Sequence, residues 1–213
     1  MSDKKHLFVH FETVGNDAIT CVPIMAHYVS VKTKEFLSTP YSFEGLLEDV
    51  VSVKLSLDDA RQKLNIKKLD QESVSYWAQS SKKNKKKIIP SQSDVDVEEF
   101  MKEFVNYVSH QKVEYWWSRA ANFSPVILYR LANAVGCKDI IDEKLKFYLL
   151  RDMRTFIDAK FNFSSQNNFI PVSDVDYWNE TFDPKDGLHV LVADILRIQT
   201  IFRAEADLDQ TER

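Results

Sequence analysis

Residues 6–12, His-Leu-Phe-Val-His-Phe-Glu, alternate without a break: His6, Phe8, His10 and Glu12 point one way, Leu7, Val9 and Phe11 the other. Side chains of a strand alternate between its faces, so this stretch is a strand with one face in a core and one partly polar. Residues 18–31 and 34–43 read as two further strands, with Asn16-Asp17 and Lys32-Thr33-Lys34 as the turns of an antiparallel meander. Pro23 within the second strand marks an edge or a bulge, because proline has no N–H to give to a ladder.

Helical spacing then takes over. Residues 57–64 form a short helix, and 71 to about 86 a longer one with Val74, Trp77 and Ala78 on one face. In 96–110 an Asp cap precedes Val97, Phe100, Met101, Phe104, Val105 and Val108 on one stripe. Residues 113–117, Val-Glu-Tyr-Trp-Trp, are a buried strand. Helices follow at 124–135, closed by Gly136, and at 151–160. Residues 161–187 are loop-rich, and 188 to about 204 is the last helix. A meander followed by strand–helix alternation describes one α/β domain over residues 1–205, a mixed central sheet flanked by helices, with a polar tail at 206–213.

Composition bounds the function. With 44% hydrophobic residues, four Gly and six Pro, the chain is expected to be a compact globule. No run of about 18 apolar residues occurs, so no membrane helix is expected, and the N-terminus leads into a strand rather than a signal peptide. Cys21 and Cys137 have no metal-ligand spacing and read as two buried thiols in a reducing, cytoplasmic setting. A net charge of −4 is not the signature of a generic nucleic-acid coat. The block Lys82-Lys83-Asn84-Lys85-Lys86-Lys87 can attract phosphates, but such a run reads first as a solvated helix end. Phosphate-binding glycine loops, Cys-x-x-Cys, Gly-x-Ser-x-Gly and His-Glu-x-x-His are all missing, which removes a nucleophilic hydrolase from consideration.

Four segments carry a resemblance. They are Phe8-Val9-His10-Phe11-Glu12-Thr13, Trp117-Ser-Arg-Ala120-Ala-Asn-Phe123-Ser124-Pro-Val-Ile-Leu128, Arg151-Asp152-Met153-Arg154-Thr155 and His189-Val-Leu-Val-Ala-Asp194. A Trp-bearing helix, Val74-Ser-Tyr-Trp77, also precedes Pro90-Ser-Gln-Ser-Asp94. In this order, over nearly the whole chain, they resemble the DEDDh (DnaQ-like) 3′–5′ exonucleases, most closely bacteriophage members. The resemblance implies a ribonuclease H-like exonuclease fold and single-stranded DNA or RNA as ligand. For a phage-encoded chain the setting would be the host cytoplasm. It also implies Glu12 and Asp194 as metal ligands and His189 as general base. Two positions depart from the pattern: His10 stands where the family has an Asp that bridges two metals, and Ser124 replaces the second-motif Asp. Ala120 replaces a Gly.

Two-metal hydrolysis holds a pair of cations on clustered carboxylates. Magnesium favours anionic oxygen, and an imidazole and a hydroxyl bring no charge, so magnesium or manganese is expected to bind weakly or not at all. A softer ion on His10, Glu12, His189 and Asp194 is the alternative, with a vacated pocket the favoured reading. Nucleic-acid contacts are expected from Thr13, Phe123, Trp77, Tyr177 and Trp178, and from Arg119, Arg151, Arg154, Lys82 and Lys83. Packing competes for each aromatic, and Tyr115, Trp116 and Trp117 belong to the core. For Arg151 and Arg154 an ion pair with Asp152 or Asp158 competes equally. The expected function is a degenerate 3′–5′ exonuclease-fold protein that holds single-stranded ends with little or no magnesium-dependent hydrolysis. Two alternatives stand beside it: an active exonuclease with altered metal use, and an interaction protein that contacts a host protein through its helical surface around 71–110.

Overall fold

A computed structural model describes residues 3–161 and 182–211. Strand β1 (Lys5–Val14) is the middle of a five-stranded sheet. It pairs antiparallel with β2 (Val22–Lys32) on one side and parallel with β4 (Val113–Ser118) on the other. Beyond β2 lies β3 (Val51–Lys54), antiparallel; beyond β4 lies β5 (Leu150–Asp152), parallel. The order β3-β2-β1-β4-β5 is the mixed, helix-flanked α/β sheet that the alternation of periods implied.

Helices cover both faces. Leu7, Val9 and Phe11 pack against α6 (Val97–Ser109) through Phe100, Met101 and Phe104, and against α7 (Ser124–Ala134) through Ile127, Leu128 and Leu131. Helices α3 (Leu57–Lys63) and α8 (Lys138–Lys144) complete that layer with Ala60 and Ile141. Phe8 faces the second layer, built of α1 (Thr33–Ser38), α2 (Phe43–Asp49), α9 (Met153–Phe161) and α10 (Gly187–Thr211). The polar side of β1 is therefore roofed by α10 rather than turned to water, and α10 supplies Leu191, Val192, Ile195 and Ile198 to it.

Several elements depart from the expectation. Residues 34–43 are not a strand: Phe36, Phe43 and Leu46 reach the second core from α1 and α2, and the Ser42 hydroxyl caps α2 by accepting from the Gly45 N–H at 3.0 Å. The third strand of the meander is the later, four-residue β3, too short to announce itself by alternation. The helix expected over 71–86 breaks at Ser80 into α4 (Gln71–Gln79) and α5 (Lys82–Ile88), because Ser81 caps a new start. At α6 the Asp96 side chain makes no cap; Asp59 from α3 accepts from the Val97 N–H at 2.8 Å instead. Helix α8 and strand β5 carry no periodicity long enough to read. Pro23 sits at a bulge, where Glu12 faces Met25 but Thr13 faces Pro23, and Gly136 closes α7 with φ +75°. Cys21 is buried and Cys137 half-buried; both are free thiols. Among the described residues no helix is long and apolar enough to cross a membrane.

Candidate functional site

The C-terminal end of β1, the start of α10 and the side of α5 converge on one place. Strand and helix touch there: a Cβ on Gly187 would lie 2.5 Å from Glu12 Cγ, 2.7 Å from Glu12 Cδ and 2.9 Å from His10 Nε2. The helix begins with glycine because nothing larger fits over the strand. Gly187→Ala is expected to destabilise the fold by about 1–3 kcal/mol, as overpacking does, read from the urea midpoint. An unchanged midpoint would mean that Glu12 swings aside freely.

Glu12 is buried, and its carboxylate is fully engaged. It accepts from His27 Nε2 at 2.8 Å and from Lys87 Nζ at 2.8 and 2.9 Å. His27 is oriented by the Ser52 hydroxyl, 2.8 Å from its Nδ1, so its Nε2–H faces Glu12. Burial works to raise the Glu12 carboxyl, but the His27 hydrogen bond and the charge of Lys87 outweigh it and hold the group below its ordinary value. Lys87 also donates to Asp186 Oδ1 at 3.2 Å, and Lys83 lies 2.6 Å from Asp186 Oδ2. Burial would raise Asp186 too, yet the two lysines bring it down to about 2. Asp186 also accepts from the Leu188 N–H at 3.1 Å, which makes it the cap of α10.

Asp194, about two turns further along α10, is buried between two arginines: Arg119 at 3.0 Å and Arg197 at 3.0 Å. Burial pushes its carboxyl above the ordinary value against the pull of both guanidinium groups. His10 stacks on His27 at a ring separation of 6.3 Å, and burial, with His27 beside it, lowers it to about 3, so the ring is neutral. The Ser124 hydroxyl is buried and accepts from the Phe11 N–H at 3.4 Å, extending β1 past the end of its pairing with β4.

Above this floor lies a cavity of about 830 Å³. His10, Glu12, Thr13, Trp77, Arg119, Phe123, Ser124, Arg154, Lys185 and Gly187 all line it, with Tyr76, Asn16 and Asn122. The structure thus gathers most of the residues singled out in the sequence. Trp77 is also an anchor, since its indole N–H donates to the Thr13 carbonyl at 2.9 Å, and the Thr13 hydroxyl donates to the Gly15 carbonyl at 2.7 Å. His189 is not among the cavity-lining residues. Its Nδ1 accepts from the Asp183 N–H at 3.0 Å and its ring packs edge-on to Phe43, while burial lowers its pKa. Arg151 lies elsewhere, 4.4 Å over the Tyr115 ring, donating to the carbonyls of Tyr148 and Leu150. Asp152 pairs with neither arginine: it accepts from the N–H groups of Ala121 and Thr155 at 2.7 and 2.8 Å. Trp116 and Trp117 are core residues. Lys82 is exposed, whereas Lys83 and Lys87 of the same run bind the floor. Tyr177 and Trp178 lie outside the described residues.

Lys87, Asp186, His27 and Arg197 are the participants that the motifs did not indicate. The described residues do not fit a metal pair. Lys87 occupies the space between Glu12 and Asp186, Arg119 and Arg197 occupy both oxygens of Asp194, and Ser124 accepts from the backbone. Among the described residues no three His, Cys, Asp or Glu side chains come together as a ligand set.

No family model matches the sequence. An exodeoxyribonuclease of Enterobacteria phage T4 is 24% identical over 215 residues, covering 94% of this chain and 90% of that protein. A product-bound exonuclease I superposes with a TM-score of 0.57 at 10% identity, over 93% of this chain and 44% of that one. A zinc-bound E. coli exonuclease I–ssDNA complex gives 0.59 at 10% identity, over 94% and 41%. This chain therefore spans less than half the length of the exonuclease I chains. The fold is the ribonuclease H-like one of exonuclease I, and the sequence match is consistent with the DnaQ-like exonuclease family.

Proposed function

We propose that this chain, built on the fold of the DnaQ-like exonucleases, holds the end of a single DNA or RNA strand in the cavity over His10 and Glu12 and performs little or no magnesium-dependent hydrolysis. One observation carries the reading: Glu12 on the cavity floor, and the buried Asp186 and Asp194 behind it, are each already paired with a cation. Glu12 has Lys87, Asp186 has Lys83 and Lys87, and Asp194 has Arg119 and Arg197. Unpaired carboxylates repel phosphate; pairing removes most of that repulsion at these three. The walls offer what a strand end requires, cationic groups from Arg154 and Lys185 and the rings of Phe123 and Tyr76 for bases to stack on. The names of the similar proteins, a phage exodeoxyribonuclease and an exonuclease I caught with ssDNA, support a single strand as the ligand class.

Fluorescence anisotropy with 5′-labelled single strands of DNA and RNA, in EDTA and in magnesium, tests the reading alongside denaturing gels of the same mixtures. Binding is expected to be the same with and without the chelator, to weaken as salt rises, and to drop about tenfold in Arg154→Ala. The strands should stay full length. Digestion abolished by Glu12→Ala would refute the inactivity. Manganese- or zinc-dependent digestion lost in His10→Ala would establish altered metal use instead. Absence of affinity for either strand would overturn the nucleic-acid reading and leave a protein contact through the 71–110 surface as the function to test.

A further inference from the structure

We propose that the Lys87 ammonium is a resident counter-cation, holding the place between the Glu12 and Asp186 carboxylates that a divalent ion would need and closing the cleft floor to metal. The inference concerns the floor itself and stands whether or not the cavity binds nucleic acid.

The geometry is that of a bound cation. Nζ lies 2.8 and 2.9 Å from the two oxygens of Glu12 and 3.2 Å from Asp186 Oδ1, so its three donors have three carboxylate oxygens. The Trp77 ring lies 5.6 Å from it and screens it from water. Lys87 is only 8% exposed, in a helix whose Lys82, Lys85 and Lys86 are all in solvent. A lysine is buried to this degree when paired charges compensate its lost hydration.

The rest of α5 delivers it. Asn84, one turn earlier and fully buried, donates to Asp183 Oδ2 at 3.3 Å and to the Lys185 carbonyl at 3.5 Å, and Lys83 holds Asp186 from the outside. One face of the helix therefore clips the 183–186 segment and inserts its last lysine under it. A divalent ion entering between Glu12 and Asp186 would sit within about 3 Å of the ammonium, where like charges repel strongly even at a high effective dielectric. Replacing the lysine with a neutral side chain leaves two buried carboxylates facing each other. Such a pair recruits hard cations through oxygen ligands.

The experiment uses Mn²⁺ alone, with no nucleic acid. Isothermal titration and thermal unfolding compare wild type with Lys87→Met, Lys87→Gln and the charge-retaining Lys87→Arg. Wild type and Lys87→Arg should show no saturable site. Lys87→Met or Lys87→Gln should gain a saturable site for one Mn²⁺, with a Tm that rises with Mn²⁺ concentration. Adding Glu12→Gln should remove that gain. Saturable Mn²⁺ binding by wild type that Glu12→Gln abolishes would overturn the proposal, as would a folded neutral variant that gains nothing. Should both neutral variants fail to fold, the wild-type titration still tests the proposal: saturable Mn²⁺ binding lost in Glu12→Gln overturns it, and no saturable binding supports it. Loss of strand binding in a separate assay would leave every one of these readings unchanged.

Discussion

Arg197→Met is expected to destabilise the protein by about 3 kcal/mol, at the low end of the cost of breaking a buried ion pair. Arg197 lies on the same helical face as Asp194, three residues on, and donates to its Oδ1 at 3.0 Å, while Arg119 from the end of β4 donates to Oδ2. Asp194 is 2% exposed. Removing one guanidinium leaves a carboxylate in a dry interior with half of its hydrogen bonds. The survival of Arg119 keeps the loss from reaching the top of the range. In a chain of this length the shift in Tm should be about 6–12 °C. Combining Arg197→Met with Asp194→Asn should recover part of the loss, because a neutral amide needs less compensation than a stranded charge. A shift of only a degree or two in the single variant would mean that water reaches Asp194, and the description of a sealed, charge-matched floor would fail with it.

The fold was legible where the apolar pattern ran long. Alternation over residues 6–12 placed β1, and the stripe from Val97 to Val108 placed α6, because each runs through several periods of burial. Residues 34–43 misled because only Tyr41 and Phe43 alternate there, while Phe36 and Phe43 anchor two short helices, the second capped by Ser42. Short elements such as β3, β5 and α8 carry too few residues for either period to emerge.

The cleft divides along a similar line. His10, Glu12 and Ser124 could be placed at its floor because motif order reports which elements meet at the end of β1. Lys87 could not. Buried positions Ser73, Trp77, Ser80, Asn84 and Lys87 follow one another at helical spacing of three and four across the α4–α5 break. Four of the five are polar, so a search for apolar stripes passes over them, and five lysines in six residues look alike until one is buried. The same blindness hid Asp186. A residue just before a helix reads as a cap, which it is, and nothing in its neighbours tells of the two lysines it also holds.

Acid should destabilise this protein in two separate steps, the first of which belongs to neutral histidines. His6 sits in a ring of aromatic side chains, with Phe36 at 5.4 Å, Tyr115 at 5.5 Å, and Trp117 and Phe202 at 6.0 Å. Burial lowers it to about 4 despite the attraction of Glu114. Between about pH 6.5 and 4 the unfolded chain therefore takes up a proton that the folded His6 refuses, and stability falls with pH across that window. One such group accounts for about 3 kcal/mol, and His10, lowered to about 3, acts in the same direction. The carboxylates follow below. Asp186, held near 2 by Lys83 and Lys87, keeps its stabilising charge until the pH drops through the range from 3.8 to 2. His6→Phe separates the steps, since a phenyl ring suits the aromatic cage and leaves no orphaned ring nitrogen, which His6 Nδ1 is at present. Urea unfolding from pH 7 to 4 should show a stability loss in His6→Phe about 3 kcal/mol smaller than in wild type, with the steps below pH 4 unchanged. Parallel curves for the two proteins would mean that His6 protonates inside its cage, and that the acid response of the fold has to be sought in the cleft alone.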